Sequence, residues 1–223
     1  MSDSGFRINK GPLYIMEQSL RRYTELPYLI DYLQTKELVL LNPATWDDRN
    51  DSYYIEQFAR ANEYQSTYAL CLANASETYH HWRVFSHGGS GVCIEFDKDK
   101  LLSAVKTIPG LRAEDVKYKT IDALRSCAPL QDDLPFLKRH AFIDEREFRL
   151  FYGSQSKGAP VLRIPVPLSS IRRITLSPWL SSSAVNHVKQ TLKAIKGCST
   201  LKMYKSTLVE NENWKKFAGG ASL

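Results

Sequence analysis

Glu145, Glu147 and Arg149 alternate along one segment of the sequence and are the residues best suited to chemistry. Side chains two apart on a β-strand share a face, so these three would lie together while Phe148 and Leu150 faced a core. At a rise of about 3.3 Å per residue the two carboxylates would be about 7 Å apart. Each would raise the pKa of the other. The pattern therefore indicates either a structural ion pair with Arg149 or a reaction that uses two carboxylates.

A second polar segment, residues 47–51, reads Asp-Asp-Arg-Asn-Asp. Its carboxylates could coordinate a cation, although the segment lacks the glycine and the distal glutamate of a calcium loop. The favoured interpretation is turn chemistry, in which Asp and Asn side chains bond the backbone before the next helix. Arg49, flanked by acids, would be held in a fixed direction.

Residues 77–87 contain three of the five histidines, namely His80, His81 and His87. A zinc site here would still need carboxylate or cysteine ligands nearby. Tyr79, Trp82 and Phe85 follow at helical spacing, which is more typical of a core stripe than of a cofactor platform. Their rings could also stack on a nucleobase or a nicotinamide ring.

Length, charge and cysteine spacing limit the class of protein. A chain of 223 residues with a net charge of +6 corresponds to one domain that could bind nucleic acid or another polyanion. The four cysteines show no CxxC or CxxH spacing, which argues against a zinc site or a disulfide framework and fits the cytosol. The polar first ten residues do not resemble a signal peptide, and no apolar run approaches the ~20 residues of a membrane helix. We therefore expect a cytoplasmic protein without membrane contact.

Apolar periodicity and turn residues divide the chain into short elements. Residues 1–11 are predicted as a mobile N-terminal arm, and residues 12–223 as a single domain with a core at about 12–195. Strands are predicted at 13–16, 37–42, 67–73, 91–97, 116–118, 145–152, 161–166, 171–176 and 201–204. Helices are predicted at 23–33, 53–64, 77–85, 98–105, 121–127, 134–142 and 184–196. This mixture lacks regular βαβ alternation, so it predicts an α+β fold.

The order of several motifs resembles a family of bacterial domains. The motifs are Leu13-Tyr14, Asn42-Pro43 with Trp46-Asp47-Asp48 and Asp51, Cys71, Trp82 with Phe85, Gly91-Val92-Cys93-Ile94-Glu95-Phe96-Asp97, Val116 with Tyr118, Lys138, and Glu145-x-Glu147-x-Arg149. The family pattern runs LYRY, FNDPFE, CFS, MWxxYA, GVCIEFD, VxY, K and ExExR, and the resemblance covers about residues 12–195. Members of that family often lie in defence or mobile-element neighbourhoods. The family is similar, more distantly, to the ADP-ribosyltransferases.

The resemblance implies a split mixed β-sheet with flanking helices that binds NAD. In ADP-ribosyltransferases an early strand supplies Arg or His with an aromatic residue, a middle strand supplies Ser or Tyr, and a late strand supplies a Glu, often within Glu-x-Glu. Glu147 matches the catalytic Glu, and Glu145 matches the residue two before it. Glu147 would stabilise positive charge on the ribose as the bond to nicotinamide breaks. Glu145 would orient or deprotonate the acceptor.

Two positions depart from the ADP-ribosyltransferase pattern. Ile15 and Met16 follow Tyr14 where Arg or His is expected, and Ala73 stands where the family has Ser. Contacts to NAD are therefore expected from other residues, and the candidates are Tyr14, Arg49, Trp82 and Arg149. An arginine among these could bind the pyrophosphate with two parallel hydrogen bonds.

These observations predict a bacterial toxin or anti-phage defence effector that transfers ADP-ribose from NAD, without a metal. Nucleic acid, RNA above all, is favoured over protein as acceptor because of the positive charge and the aromatic residues. Such a toxin would need an antitoxin protein as partner. One alternative is a non-catalytic nucleic-acid-binding regulatory module in which the Glu-x-Glu-x-Arg segment is structural. Another is a metal-dependent nuclease that uses Asp47, Asp48, Asp51 and the histidines.

Overall fold

The computed structural model describes residues 18–219. Its strands are β1 Ser19–Glu25, β2 Glu37–Leu41, β3 Ser66–Ala73, β4 Gly91–Asp97, β5 Arg112–Asp115, β6 Lys117–Lys119, β7 Leu137–Arg139, β8 Glu147–Ser154, β9 Val161–Pro165, β10 Ile171–Leu176 and β11 Met203–Lys205. Its helices are α1 Leu26–Thr35, α2 Arg49–Ala61, α3 Tyr79–Phe85, α4 Lys98–Val105, α5 Ile121–Ser126, α6 Ser182–Ala194 and α7 Glu212–Gly219. Short 3₁₀ segments include Gln131–Phe136 and His140–Glu145.

Nine of these strands form one mixed sheet, in the order β11-β10-β4-β1-β3-β2-β9, with β8 paired to β3 and β5 paired to β8. The pair β10–β11 is parallel and the other pairs of this sheet are antiparallel. The strands β6 and β7 form a separate parallel ribbon. The predicted α+β class, with a mixed sheet and flanking helices, is confirmed.

The sheet is split along one edge of β3. β1 meets β3 at the single pair Arg21–Ala73, while β1 pairs with β4 over its whole length. β2 meets β3 at the single pair Leu41–Ala69 and otherwise pairs with β9. Cys71 lies midway between the two junctions. β1 and β2 therefore diverge from β3, each with its own neighbouring strand.

The two faces of the sheet are covered differently because side chains alternate along each strand. Leu70 and Leu72 of β3 lie in the main core together with apolar residues of α1, α4 and α6. On the opposite face, Ala69 packs in a smaller cluster under α2, and Ala73 packs in another under α3. Cys71 lies between these two clusters, on the face where the candidate site is found.

Several element boundaries differ from the predictions. The predicted helix 23–33 is wrong at its start, because β1 pairs with β4 through Glu25 and Pro27 lies in the first turn of α1. The predicted strand 145–152 begins instead at Glu147, because Arg146 has a left-handed backbone with φ 43°. The predicted helix 134–142 is also wrong, since residues 137–139 form β7 beside β6. The strands β1 and β5 and the helix α7 were not predicted.

Other predictions concern residues that the structure does not describe. The N-terminal arm, the strand at 13–16 and Tyr14 lie outside residues 18–219, and the domain division stays a prediction. Between residues 18 and 219, none of the helices has both the length and the apolar composition of a membrane-spanning segment.

Candidate active site

A cavity of about 470 Å³ lies at the split in the sheet. This volume is within the usual range of small-molecule sites. Its walls come from β1, β3, the loop before α2, the end of α3, β7 and the segment that leads into β8. The lining residues include Arg22, Trp46, Asp48, Cys71, Val84, Phe85, Lys138, Phe142, Glu145 and Glu147. The Glu-x-Glu pair singled out in the sequence is therefore part of the cavity wall.

Arg149 organises the polar side chains behind this wall. Its Nε and one Nη2 hydrogen donate to the Glu147 carboxylate at 2.7 and 3.0 Å. Its Nη1 and Nη2 donate to Asp51 at 2.8 and 2.6 Å, and Nη1 also donates to the Pro135 carbonyl at 2.8 Å. A guanidinium has five N–H donors, and all five are used here. Arg149 is fully buried, so it has no donor left for a ligand.

Lys138 is the second cation of the cluster and contacts three carboxylates. Its Nζ lies 2.6 Å from Glu145, 3.3 Å from Glu147 and 3.7 Å from Asp51. The ammonium also lies 5.0 Å from the centre of the Phe142 ring. Lys138 therefore links the two glutamates, which a common strand face was expected to bring together.

The two glutamates have different protonation behaviour. Burial alone would raise the pKa of Glu147, but the charge and hydrogen bonds of Arg149, with help from Lys138, lower it to about 2. Burial raises the pKa of Glu145, and Lys138 only partly offsets that effect. Glu147 is thus a firmly ionised carboxylate, and Glu145 is a better proton acceptor. Two carboxylates with separated pKa values are a common basis for dividing charge stabilisation from proton transfer.

The backbone at Glu145 is held by a buried histidine of α3. His81 Nε2 lies 3.0 Å from the Glu145 carbonyl, which can only accept, so Nε2 carries the hydrogen. The Nδ1 atom lies 2.6 Å from the hydroxyl of Thr78, the residue that caps α3. Burial lowers the pKa of His81, and its ring stacks on Tyr23 at 5.3 Å. The start of α3 is thereby connected to the position of Glu145.

Arg22 is the functional candidate that sequence reasoning missed. It lies on β1, and its Nη1 donates to the Cys71 carbonyl at 3.0 Å. Cys71 lies between the two junctions of β3, so neither β1 nor β2 is paired with it. Burial lowers the pKa of its guanidinium, while the nearby Glu147 charge opposes that shift. Residues 20–23 read Leu-Arg-Arg-Tyr, which matches three letters of the LYRY pattern that we had assigned to Leu13-Tyr14. This match could have located Arg22.

Two of the four predicted NAD contacts, Trp82 and Arg49, do not line the cavity. Trp82 is fully buried, and its indole N–H donates to Glu77 at 2.7 Å. Arg49 is exposed in the first turn of α2 and does not line the cavity. Arg149 contacts Glu147, but all five of its N–H donors are already used within the protein. Tyr14 lies outside the described residues. The structure therefore brings Glu145, Glu147 and Arg149 together, without placing Trp82 or Arg49 beside them in the cavity.

The acidic loop has a structural role. The Asp48 Oδ1 atom accepts from the backbone N–H groups of Asn50 and Asp51 at 3.0 and 3.4 Å, which caps α2. Both carboxylate oxygens of Asp51 accept hydrogen bonds from Arg149, so this side chain is part of the buried ion-pair cluster. Among residues 18–219, no group of three or more His, Cys, Asp or Glu side chains has the arrangement of a metal site.

The chain is similar in structure to a protein whose structure has been solved. No protein-family model matches the chain, and no curated protein matches it. DarT of Thermus sp. 2.9, solved in complex with ADP-ribosylated single-stranded DNA, is similar with a TM-score of 0.46 and 11% sequence identity. The alignment covers 87% of this chain and 97% of the DarT chain.

Proposed function

We propose that the cavity binds NAD and that the protein transfers ADP-ribose from NAD to nucleic acid. The observation that carries this proposal is the position of an ionised Glu147 in the wall of a ligand-sized cavity, at a split in the sheet, with Arg22 nearby on β1. The resemblance of the Glu-x-Glu segment to that of ADP-ribosyltransferases supports the same function.

The two glutamates suit the two halves of the reaction. When the bond between ribose and nicotinamide breaks, its electron pair leaves with nicotinamide and positive charge develops on the ribose. The Glu147 carboxylate stabilises this charge because it remains ionised in a poorly solvated wall. An acceptor group then attacks the ribose carbon and releases a proton. Glu145 accepts that proton, since its raised pKa makes it the more basic carboxylate.

Other residues of the cavity wall fit the remaining parts of NAD. Arg22 supplies a cation for the pyrophosphate, a role for which Arg149 is unavailable. Trp46, Phe85 and Phe142 present aromatic rings to which a planar base or a nicotinamide ring could bind. The Asp48 Oδ2 atom is buried and has no hydrogen-bond partner among the described residues. A hydroxyl or amide of a bound ligand would satisfy it.

The biological role follows from this chemistry and is part of the proposal. A transferase that modifies nucleic acid in its own cytoplasm would act as a toxin or as an anti-phage defence effector. A cell that carries it would need an antitoxin protein to neutralise it. Growth arrest on expression of the wild-type chain, but not of Glu147→Gln, is the corresponding observation in cells.

The direct test combines NAD binding with an isosteric substitution. Millimolar NAD should raise the melting temperature of the wild-type protein, because a ligand at 100 times its Kd adds about 2.7 kcal/mol of stability. Glu147→Gln keeps the shape of the side chain but not its charge. It should lower transfer from labelled NAD at least about 100-fold, since removal of one transition-state contact commonly has this effect.

The matched control is Glu210→Gln, because Glu210 is exposed and does not line the cavity. This variant should retain wild-type activity. Absence of an NAD effect on wild-type melting, or full transfer activity in a folded Glu147→Gln protein, would show the proposal to be wrong.

The non-catalytic alternative is supported by one observation, the saturation of Arg149 by Glu147, Asp51 and the Pro135 carbonyl. In that case the ion pairs of Arg149 with Glu147 and Asp51 only stabilise the fold, and the protein is a non-catalytic nucleic-acid-binding module. Glu147→Gln would then lower stability, while NAD would change neither melting nor nucleic-acid binding.

A further inference from the structure

A stack of three side chains, in which Tyr79 and Arg83 are exposed and Trp179 is half-buried, lies on the outer surface of α3. The Arg83 guanidinium lies 4.3 Å from the ring centre of Trp179 and 5.1 Å from that of Tyr79. The Arg83 Nε atom donates to the Tyr79 hydroxyl at 2.8 Å, and the Tyr79 and Trp179 rings meet edge to face at 5.9 Å. Tyr79 is 51% exposed, so much of its ring is open to solvent. We call Tyr79, Arg83 and Trp179 the α3 stack.

The α3 stack is connected to the candidate active site through its helix. Val84 and Phe85, the two residues that follow Arg83, line the cavity, and Val84 is 50% exposed. Successive residues of a helix are about 100° apart around its axis. The exposed surface of α3 therefore runs from the stack, past Val84, to the wall of the cavity.

The fold does not depend on the α3 stack to hold this helix. Trp82 is fully buried against Tyr23 and anchors α3 to β1. Thr78 caps the helix, and the His81 ring lies beneath it. An exposed cation–π contact contributes little to folding in comparison. The exposed side chains of Tyr79 and Arg83 are thus available for binding.

The chemistry of the α3 stack is that of a nucleobase platform. Unpaired bases stack on tyrosine rings and on guanidinium planes, and the arginine charge favours the neighbouring phosphate. Arg146, an exposed residue before β8, adds positive charge near α3, where it contributes to the lowered pKa of His81. The net charge of +6 has the same sign. A base inside a duplex is already stacked, so the surface suits a single strand.

We propose that Tyr79 and Arg83 stack on a base of a single-stranded nucleic acid and guide the neighbouring nucleotide to the cavity. The inference rests on the proposed function in one respect: the bound strand is the acceptor only if the protein transfers ADP-ribose to nucleic acid. Binding of the strand itself does not require NAD, and it can be measured alone.

The test uses fluorescence anisotropy with a labelled single-stranded oligonucleotide of mixed sequence, in RNA and DNA forms, at fixed salt and without NAD. Tyr79→Ala should weaken binding about tenfold, because loss of one base–aromatic stack has an effect of that order. Arg83→Lys should weaken it as well, since lysine keeps the charge but not the plane. The matched control is Tyr204→Ala, because Tyr204 on β11 has the same 51% exposure.

The outcomes separate this inference from the proposed function. Wild-type affinity in Tyr79→Ala, or an equal loss in Tyr204→Ala, would overturn the α3 stack as a binding site. Labelling of a protein but of no nucleic acid in the presence of NAD would overturn both the α3 stack as an acceptor site and nucleic acid as the proposed acceptor, and would leave the NAD site intact. Tyr79→Ala should retain the NAD-induced rise in melting temperature, since the substitution lies outside the cavity. We expect Tyr79→Ala to lose strand binding and to keep the NAD-induced rise in melting temperature.

Discussion

Arg149 illustrates how one buried side chain determines the properties of its neighbours. It gives Glu147 and Asp51 a common cation, and the ring centre of Trp46 lies 4.9 Å from its guanidinium. Removal of one partner from a buried ion pair is far more costly than the pair itself is stabilising, because a charge remains without compensation. The ionised state of Glu147, on which the proposed chemistry depends, is therefore a consequence of Arg149.

This leads to a stability prediction for Arg149→Met. The buried carboxylates of Glu147 and Asp51 would keep Lys138 but lose the cation that binds each of them with two hydrogen bonds, so the free energy of unfolding should fall by about 3 kcal/mol or more. The control is Arg125→Met, whose partner Asp122 is 86% exposed and whose pair should contribute at most about 1 kcal/mol. Urea unfolding followed by circular dichroism measures both variants. Equal losses in the two variants would contradict the assigned role of Arg149.

The helix α3 makes three different kinds of contact. One side anchors the helix to β1 through Trp82, the last turn lines the cavity, and His81 holds the backbone of Glu145. Its N-cap, Thr78, accepts from the His81 N–H at 3.2 Å and also contacts the His81 ring. The cap therefore supports both the helix and the orientation of the histidine.

Thr78→Ala should consequently have two effects. Loss of the cap should lower the free energy of unfolding by about 1 kcal/mol. Looser placement of Glu145 should lower the transfer rate several-fold, while the NAD-induced rise in melting temperature is retained. Thr120→Ala is the matched control, since Thr120 caps α5 in the same way through the Ala123 N–H. It should leave the rate unchanged, and an equal decrease in both variants would argue against the link from Thr78 to Glu145.

The contrast between elements shows what sequence patterns could predict. The predictions for β4 and α4 match the structure residue for residue, because a continuous apolar run and a capping Asp97 are local signals. The prediction for β8 missed the start of the strand, because the left-handed backbone of Arg146 has no local signal in that residue type. The pairing of Asp51 with Arg149 joins residues 98 apart in the chain, so no local spacing could indicate it.

The candidate site was predictable to a similar extent. Glu145 and Glu147 were found from their alternation, although a lysine and a histidine, rather than a common strand face, bring Glu145 into place. Trp82 illustrates the opposite case, since an aromatic residue that could bind a ring proved fully buried. Burial depends on which elements pack together, and this information is not local. Arg22 was missed because a partial motif match at residues 13–14 displaced the better match at residues 20–23.

For the whole molecule, the excess of positive charge should determine how nucleic acid is held. Binding to a single strand releases counterions, so the logarithm of affinity should fall with the logarithm of salt concentration by about 0.7 per phosphate contacted. We expect a slope of about −2 or steeper for the wild-type protein. Tyr79→Ala should weaken binding at every salt concentration without changing the slope, because tyrosine carries no charge.

Arg83→Ala, measured in the same titration, should reduce the slope by about 0.7 through loss of one cation. A slope near zero for the wild-type protein would exclude an electrostatic nucleic-acid site. An unchanged slope in Arg83→Ala would show that this residue does not neutralise a phosphate.

The split beside β3 has a mechanical consequence. β1, β4, β10 and β11 form one wing of the sheet and β2 and β9 form another, and within the described residues each wing meets β3 at a single residue pair. A ladder of eight pairs joins β3 to β8, so the backbone pairing of β3 is dense along that edge and sparse at the two junctions. We therefore expect the sheet beside the cavity to open locally at these junctions before it opens along the ladder. A molecule bound across the gap would brace the two wings against each other, and backbone amides near the two junctions would then exchange their hydrogens with solvent more slowly.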